Sequence, residues 1–296
     1  MRRYTYATTL ELFASLLLVL TALALASAVP GPLLAADIDG DCVNKPSYNH
    51  PSTVTRGVSI TIAGVPTYYV ALFNGSTHGA KRANKNKAER VKVVLWLSDV
   101  YGPWNVSNML VQDAFADAGF HVLGIDYFFG DSGDKHGFKD LAEQRAWSDG
   151  WHACAREVLP VWVKGVNDIY GPDAKYTAVG YCFGAQYAME LGATDEVVAA
   201  AFAHPSRLTE GHFANLTKPL LLSCAEYDGA FPPPNLSRTA EVLAETKKQY
   251  YIQVFSGVRH GFATRADPAD FNAVWAKDKA LMSMVEWFER LSVDME

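Results

Sequence analysis

The stretch "TAVGYCFGAQYAME" (residues 177–190) decides how the rest of the chain is read. An apolar run at 177–181 enters Gly180-Tyr181-Cys182-Phe183-Gly184, and helical spacing follows at once. A strand that turns into a helix through Gly-x-nucleophile-x-Gly is a nucleophile elbow, with cysteine at its tip here instead of serine. The glycines permit a sharp turn and close packing of helix on strand. The new helix aims the positive end of its dipole at the thiol, which favours thiolate. Cysteine is also a common small buried hydrophobe, so the elbow alone does not make Cys182 catalytic. Its surroundings in the fold must decide.

Outward from the elbow, strand-like and helix-like segments alternate. Strand patterns fall at 92–97, 121–125, 197–203, 219–225 and 250–255. Helical patterns fall at 107–118, 147–169, 238–247 and 270–291. Such alternation predicts an α/β fold, a mostly parallel sheet with helices on both faces. Residues 57–73 add a hairpin turned at Gly64-Val65-Pro66. The chain has 296 residues, no internal repeat and no composition break after residue 55. The economical division is a targeting segment at 1–28, an irregular lead-in at 29–55 and one catalytic domain at 56–296.

In an open parallel sheet, functional side chains gather at the carboxyl ends of strands. Cys182 follows 177–181, Asp228 follows 219–225 and His260 follows 250–255. Nucleophile, acid, base is the chain order of the α/β-hydrolase triad. His260 would take the thiol proton and return it to the leaving group, and Asp228 would hold the imidazole tautomer. Phe183 N–H, next after the nucleophile, and Val100 N–H, in the loop after the first parallel strand, are the expected oxyanion donors. Asp126 also ends a strand and competes for the acid role, but chain order favours Asp228. His204 ends the strand at 197–203 and is a candidate pocket residue. Tyr127, with Trp104, Phe128 and Phe129, forms either an aromatic substrate wall or lid packing. Cys224 lies inside a strand and reads as a packing residue; the remaining histidines, His152 among them, read as structural.

Together these segments resemble the dienelactone hydrolase (carboxymethylenebutenolidase) family, cysteine-dependent α/β-hydrolases. The resemblance rests on "WLSDVYGPWN" (96–105), "VLGIDYFFGD" (122–131), "AVGYCFGAQYA" (178–188), "AFAHPS" (201–206), "CAEYDGAFP" (224–232) and "FSGVRHGFATR" (255–265). It implies an α/β-hydrolase fold with an N-terminal hairpin, and hydrolysis of a small-molecule lactone or ester through a thioester, without a cofactor. It also implies an acidic residue at position 99 that modulates the thiol. Here that residue is Asp99, one methylene shorter than the family's glutamate. The family's carboxylate-binding arginine falls at Thr264 in this chain, with Arg265 one residue later.

Composition narrows the partners. The net charge of −6 offers no basic stripe for phosphates, which argues against nucleic-acid binding. No CxxC or HxxxH spacing suggests a metal. Arg2 and Arg3, the apolar run at 12–25 and Ala26-Ser27-Ala28 have the layout of a secretory signal peptide. The expected location is therefore extracytoplasmic, with no stable membrane association unless the segment stays uncleaved as a signal anchor. Asn74, Asn105, Asn215 and Asn235 head N-x-S/T sequons and are glycosylation candidates. The reading rival to hydrolysis is a secreted α/β-hydrolase-like binding or redox protein, which a disulfide at Cys182 would favour.

Overall fold

The computed structural model describes residues 29–38, 55–73 and 90–293. The signal segment, Cys42 and Asn74 lie outside the described residues. The parallel units begin with β3 (Lys92–Leu97), α1 (Val106–Asp117), β4 (His121–Ile125) and α2 (Leu141–Tyr170). Then come β5 (Lys175–Tyr181), α3 (Ala185–Gly192), β6 (Ala199–Ala203) and α4 (Glu210–Ala214). The chain closes with β7 (Leu220–Tyr227), α5 (Pro233–Thr246), β8 (Tyr250–Arg259) and α6 (Phe271–Ser292). Ahead of them, β1 (Val58–Ile62) and β2 (Val65–Val70) form the expected hairpin.

One eight-stranded sheet runs β1-β2-β4-β3-β5-β6-β7-β8. The pairs β1–β2 and β2–β4 are antiparallel, and every pair from β4 to β8 is parallel. The fold is the α/β-hydrolase type that the alternating pattern predicts. Chain order reverses between β4-β3 and β5-β6, so the β5 end lies at the switch point where crossing loops leave a crevice.

Period-two alternation in β3 divides the core. Val93, Leu95 and Leu97 pack with Leu159, Trp162 and Val166 of α2 and Tyr187 and Leu191 of α3. Val94 and Trp96 face the opposite side, with Phe115 of α1 and Ala280, Met284 and Phe288 of α6. Burial on both faces explains why these strands read as continuous apolar runs.

The helix ends follow side-chain chemistry. Asn105 caps α1 by accepting the Ser107 N–H at 3.1 Å. Asp140 caps α2 through the Glu143 N–H at 2.9 Å, six residues before the amphipathic run at 147–169 becomes apparent. Thr209 and His212 form a capping box that starts α4, a five-residue helix with no readable apolar period. Strands β7 and β8 extend beyond their apolar cores, because backbone pairing continues to Tyr227 and Arg259.

Candidate active site

Cys182 adopts φ +49°, a left-handed value that a cysteine tolerates only under constraint. The two glycines supply that constraint. A Cβ on Gly180 would lie 2.4 Å from the Gly184 carbonyl oxygen, and one on Gly184 would lie 2.2 Å from the Leu97 carbonyl oxygen. Any side chain at either position would force elbow and sheet apart. The same packing sets the elbow on the end of β3, beside the loop that carries Ser98, Asp99 and Val100.

Cys182 is a free cysteine and fully buried. Its partner is His260, whose ring hydrogen-bonds the thiol group. On the other side, His260 Nδ1 lies 3.0 Å from each carboxylate oxygen of Asp228. With Nδ1 turned to the carboxylate, Nε2 is left for the sulfur. Asp228 Oδ1 also accepts the Ala230 and Phe231 N–H groups, at 2.9 and 3.0 Å. The triad geometry is thus assembled from the ends of β5, β7 and β8.

Electrostatics follow from that geometry. Burial opposes a charge on His260, yet Asp228 and Cys182 outweigh it and hold the imidazole well above the ordinary histidine range. Burial likewise pulls Asp228 upward, but His260 and the two amides keep its carboxyl below the usual carboxylate range. The shifts are opposite in direction, as expected for an imidazolium and a carboxylate that stabilise each other.

The expected oxyanion donors are Phe183 and Val100. Both are fully buried, on the elbow and on the loop packed against it. Tyr127 ties the two together: its hydroxyl donates to the Ser98 carbonyl, and its ring lies 5.1 Å from that of Phe183. Tyr127 is therefore a buried strut between the loop after β3 and the elbow. Asp126 accepts from Trp104 Nε1 at 3.0 Å and from the Phe128 and Gly130 amides, which ties down its own turn. The competition for the acid position thus ends with Asp228.

Asp99 and Arg265 are joined to each other. Asp99 accepts from the Tyr101 N–H at 3.0 Å, Asn108 Nδ2 at 2.8 Å, Thr264 Oγ1 at 3.1 Å and the Arg265 guanidinium. Its carboxylate is half of a buried ion pair, and Arg265 also lies 4.0 Å over the Tyr101 ring. Arg265 is thus bound to Asp99 through Nη1. The physical reason is desolvation: two charges this deeply buried are stable only when paired with each other.

His204 ends β6 at φ +36° and packs edge-on against His260, with ring centroids 5.0 Å apart. His152, read from sequence as structural, stacks on Phe183 at 3.8 Å and bonds the Tyr187 hydroxyl through Nδ1 at 2.7 Å. Burial, together with the nearby Arg207 and Arg156, holds it far below the usual histidine range. It is a neutral plate behind the residue that offers the oxyanion amide. Thr264 is the other residue that sequence reasoning left without a role here. Neither contact has a local signal, because Phe183 lies 31 residues from His152 and Asp99 lies 165 residues from Thr264.

Among the glycosylation candidates in the described residues, Asn215 is exposed. Asn105 caps α1 and donates to Asp134, while Asn235 donates to the Leu34 carbonyl at 2.6 Å. A glycan on either would have to displace that bond.

Comparison with known proteins agrees with the geometry. Residues 79–292 match the profile of the Dienelactone hydrolase family. "Dienlactone hydrolase 2" of Gibberella moniliformis is 31% identical over 254 residues, covering 84% of this chain and 93% of the relative. The human "Carboxymethylenebutenolidase homolog" is 25% identical, covering 70% of this chain and 85% of the relative. Among solved structures, a putative dienelactone hydrolase from Klebsiella pneumoniae superposes with a TM-score of 0.60 at 14% identity. That match covers 80% of this chain and 98% of the other.

Proposed function

From the premise that the chain belongs to the dienelactone hydrolase family and hydrolyses carboxylic esters or lactones, we propose that Cys182 is its nucleophile. The reading rests above all on one observation: a reduced thiol at a strained elbow, joined through His260 to the buried Asp228.

In the first half-reaction, Cys182 Sγ attacks the carbonyl carbon while Phe183 and Val100 N–H groups stabilise the oxyanion. The C–O bond of the ester or lactone breaks, and His260 Nε2–H protonates the departing oxygen. In the second, water attacks the thioester and gives its proton to His260. The C–S bond then breaks, releasing the carboxylic acid and regenerating the thiolate beside an imidazolium. Asp228 stays ionised throughout and stabilises the charged ring.

Because Arg265 is paired with Asp99, the site favours a neutral acyl portion over one carrying its own carboxylate. A panel of lactones and small esters, each with and without a carboxylate, tests this reading. Stopped turnovers analysed by mass spectrometry should show acyl mass on the Cys182 peptide. Turnover without any such adduct, or undiminished turnover by Cys182→Ala, would overturn the mechanism.

We also propose export, supported by the basic, apolar and small-residue order of residues 1–28. N-terminal sequencing of protein from the medium should begin at Val29. Retention of the segment in cell membranes would instead mean a signal anchor.

A further inference from the structure

Residues 29–38 precede the family-matched stretch, and the chemistry above gives them no task. They are nonetheless built into the site. Leu34, Ala35 and Ile38 are buried, and Ile38 belongs to the same apolar cluster as Cys182 and Phe183. Leu34 and Ala35 N–H groups donate to the Leu208 carbonyl at 2.7 and 2.8 Å. Leu208 and Arg207 N–H groups donate back to Ala35 and Ala36, at 3.1 and 2.8 Å. On its other side the segment reaches the loop after β7, where the Ala36 N–H donates to the Ala230 carbonyl at 2.7 Å. Asp37 accepts from Arg207 Nη2 at 2.8 Å.

Both loops it touches carry the triad's supports. Ala230 is gripped at two ends, its carbonyl by Ala36 and its N–H by Asp228. In the loop after β6, the Ser206 N–H donates to the Cys182 carbonyl at 3.2 Å, and His204 packs on His260. His204 and Arg207 hold φ values of +36° and +55°. Left-handed backbone at non-glycine residues is strained and persists only where neighbours over-determine it. For Arg207 those neighbours include the segment itself, through both its amide and its guanidinium, together with Asp149 of α2.

We propose that residues 34–38 are a positioning strap, which fastens the β6 and β7 loops to each other and so holds Asp228 where His260 needs it. This rests on the reading of Cys182, His260 and Asp228 as the triad. Ala36→Pro deletes the N–H that grips Ala230, Asp37→Ala deletes the link to Arg207, and Asp37→Glu keeps that charge. With full-length protein and an activated ester, Ala36→Pro should lower kcat about tenfold and leave KM within about twofold, the signature of misplaced catalytic groups. The alkaline limb of its kcat profile should move to lower pH, because a displaced Asp228 no longer supports the His260 proton. Asp37→Ala should lower kcat about threefold and Asp37→Glu should restore it.

Folding is checked by near-UV circular dichroism, and if Ala36→Pro does not fold, the Asp37 pair decides. Folded variants with wild-type kcat and an unmoved alkaline limb would overturn the strap. Cys182→Ala, run alongside, separates the two ideas. If it is inactive while the strap variants are normal, only the strap fails; if it is active, the triad reading itself is lost.

Discussion

Cys182 and Cys224 are both buried thiols near the same aspartate, yet Asp228 acts on them with opposite sign. Cys224 sits inside β7, where burial first and the Asp228 charge second push its thiol up, away from thiolate. Cys182 sits on a turn, with His260 between it and that carboxylate. The carboxylate there stabilises an imidazolium, and the imidazolium is what a thiolate needs beside it. On the proposed mechanism, one negative charge suppresses a thiol directly and promotes another through a histidine. Reactivity is a property of the relay and not of the cysteine.

The sharpest way to break this contrast is to remove each sulfur. Cys182→Ala should cost on the order of 10⁴-fold or more in kcat/KM, whereas Cys224→Ala should stay within about twofold in an ester assay. If Cys224→Ala were the inactive variant, the relay argument would fail.

Asp228→Asn keeps the shape and removes the charge. A loss of about 10²–10⁴-fold in kcat is expected, with the alkaline limb falling toward the ordinary histidine pKa of about 6.5. Stability should follow the same linkage. The contribution of His260 is complete below about pH 6.5 and is lost as pH rises through its raised folded value. That of Asp228 is present above the usual carboxylate range and is lost as pH falls through its depressed folded value. Denaturant midpoints measured across pH should show both losses in wild type and neither in a His260→Ala, Asp228→Ala double variant.

The second buried carboxylate sharpens the comparison, because Asp99 faces a permanent cation. Asp99→Asn leaves Arg265 charged and unpaired, and should destabilise the fold by about 3–5 kcal/mol in denaturant titration. The smallest effect concerns the backbone under Cys182. At φ +49°, Cys182→Gly should be more stable than Cys182→Ala by about 1 kcal/mol, the reverse of the usual order.

The nucleophile, acid and base were legible because each sits at a strand end, and strand ends announce themselves through apolar runs closed by turn residues. The elbow was the clearest of all, since its glycines are required by distances of 2.4 and 2.2 Å to neighbouring backbone. Arg265 shows where that legibility stops. It lies one residue past the position of the family's carboxylate-binding arginine, and nothing local revealed its bond to Asp99, 166 residues earlier. The strap at 34–38 looked irregular because it has no period of its own. Its order comes from hydrogen bonds to residues around 207, 208 and 230.

Sequence by itself determined the alternating α/β architecture, the order of the triad and the family. Those properties depend on local patterning, and local patterning repeats along a chain. Only the tertiary structure decided which carboxylate is paired to Arg265, and that the lead-in packs against the loops after β6 and β7. Each of those is a choice among buried partners far apart in sequence, made by the cost of leaving a charge or a backbone donor unpaired away from water.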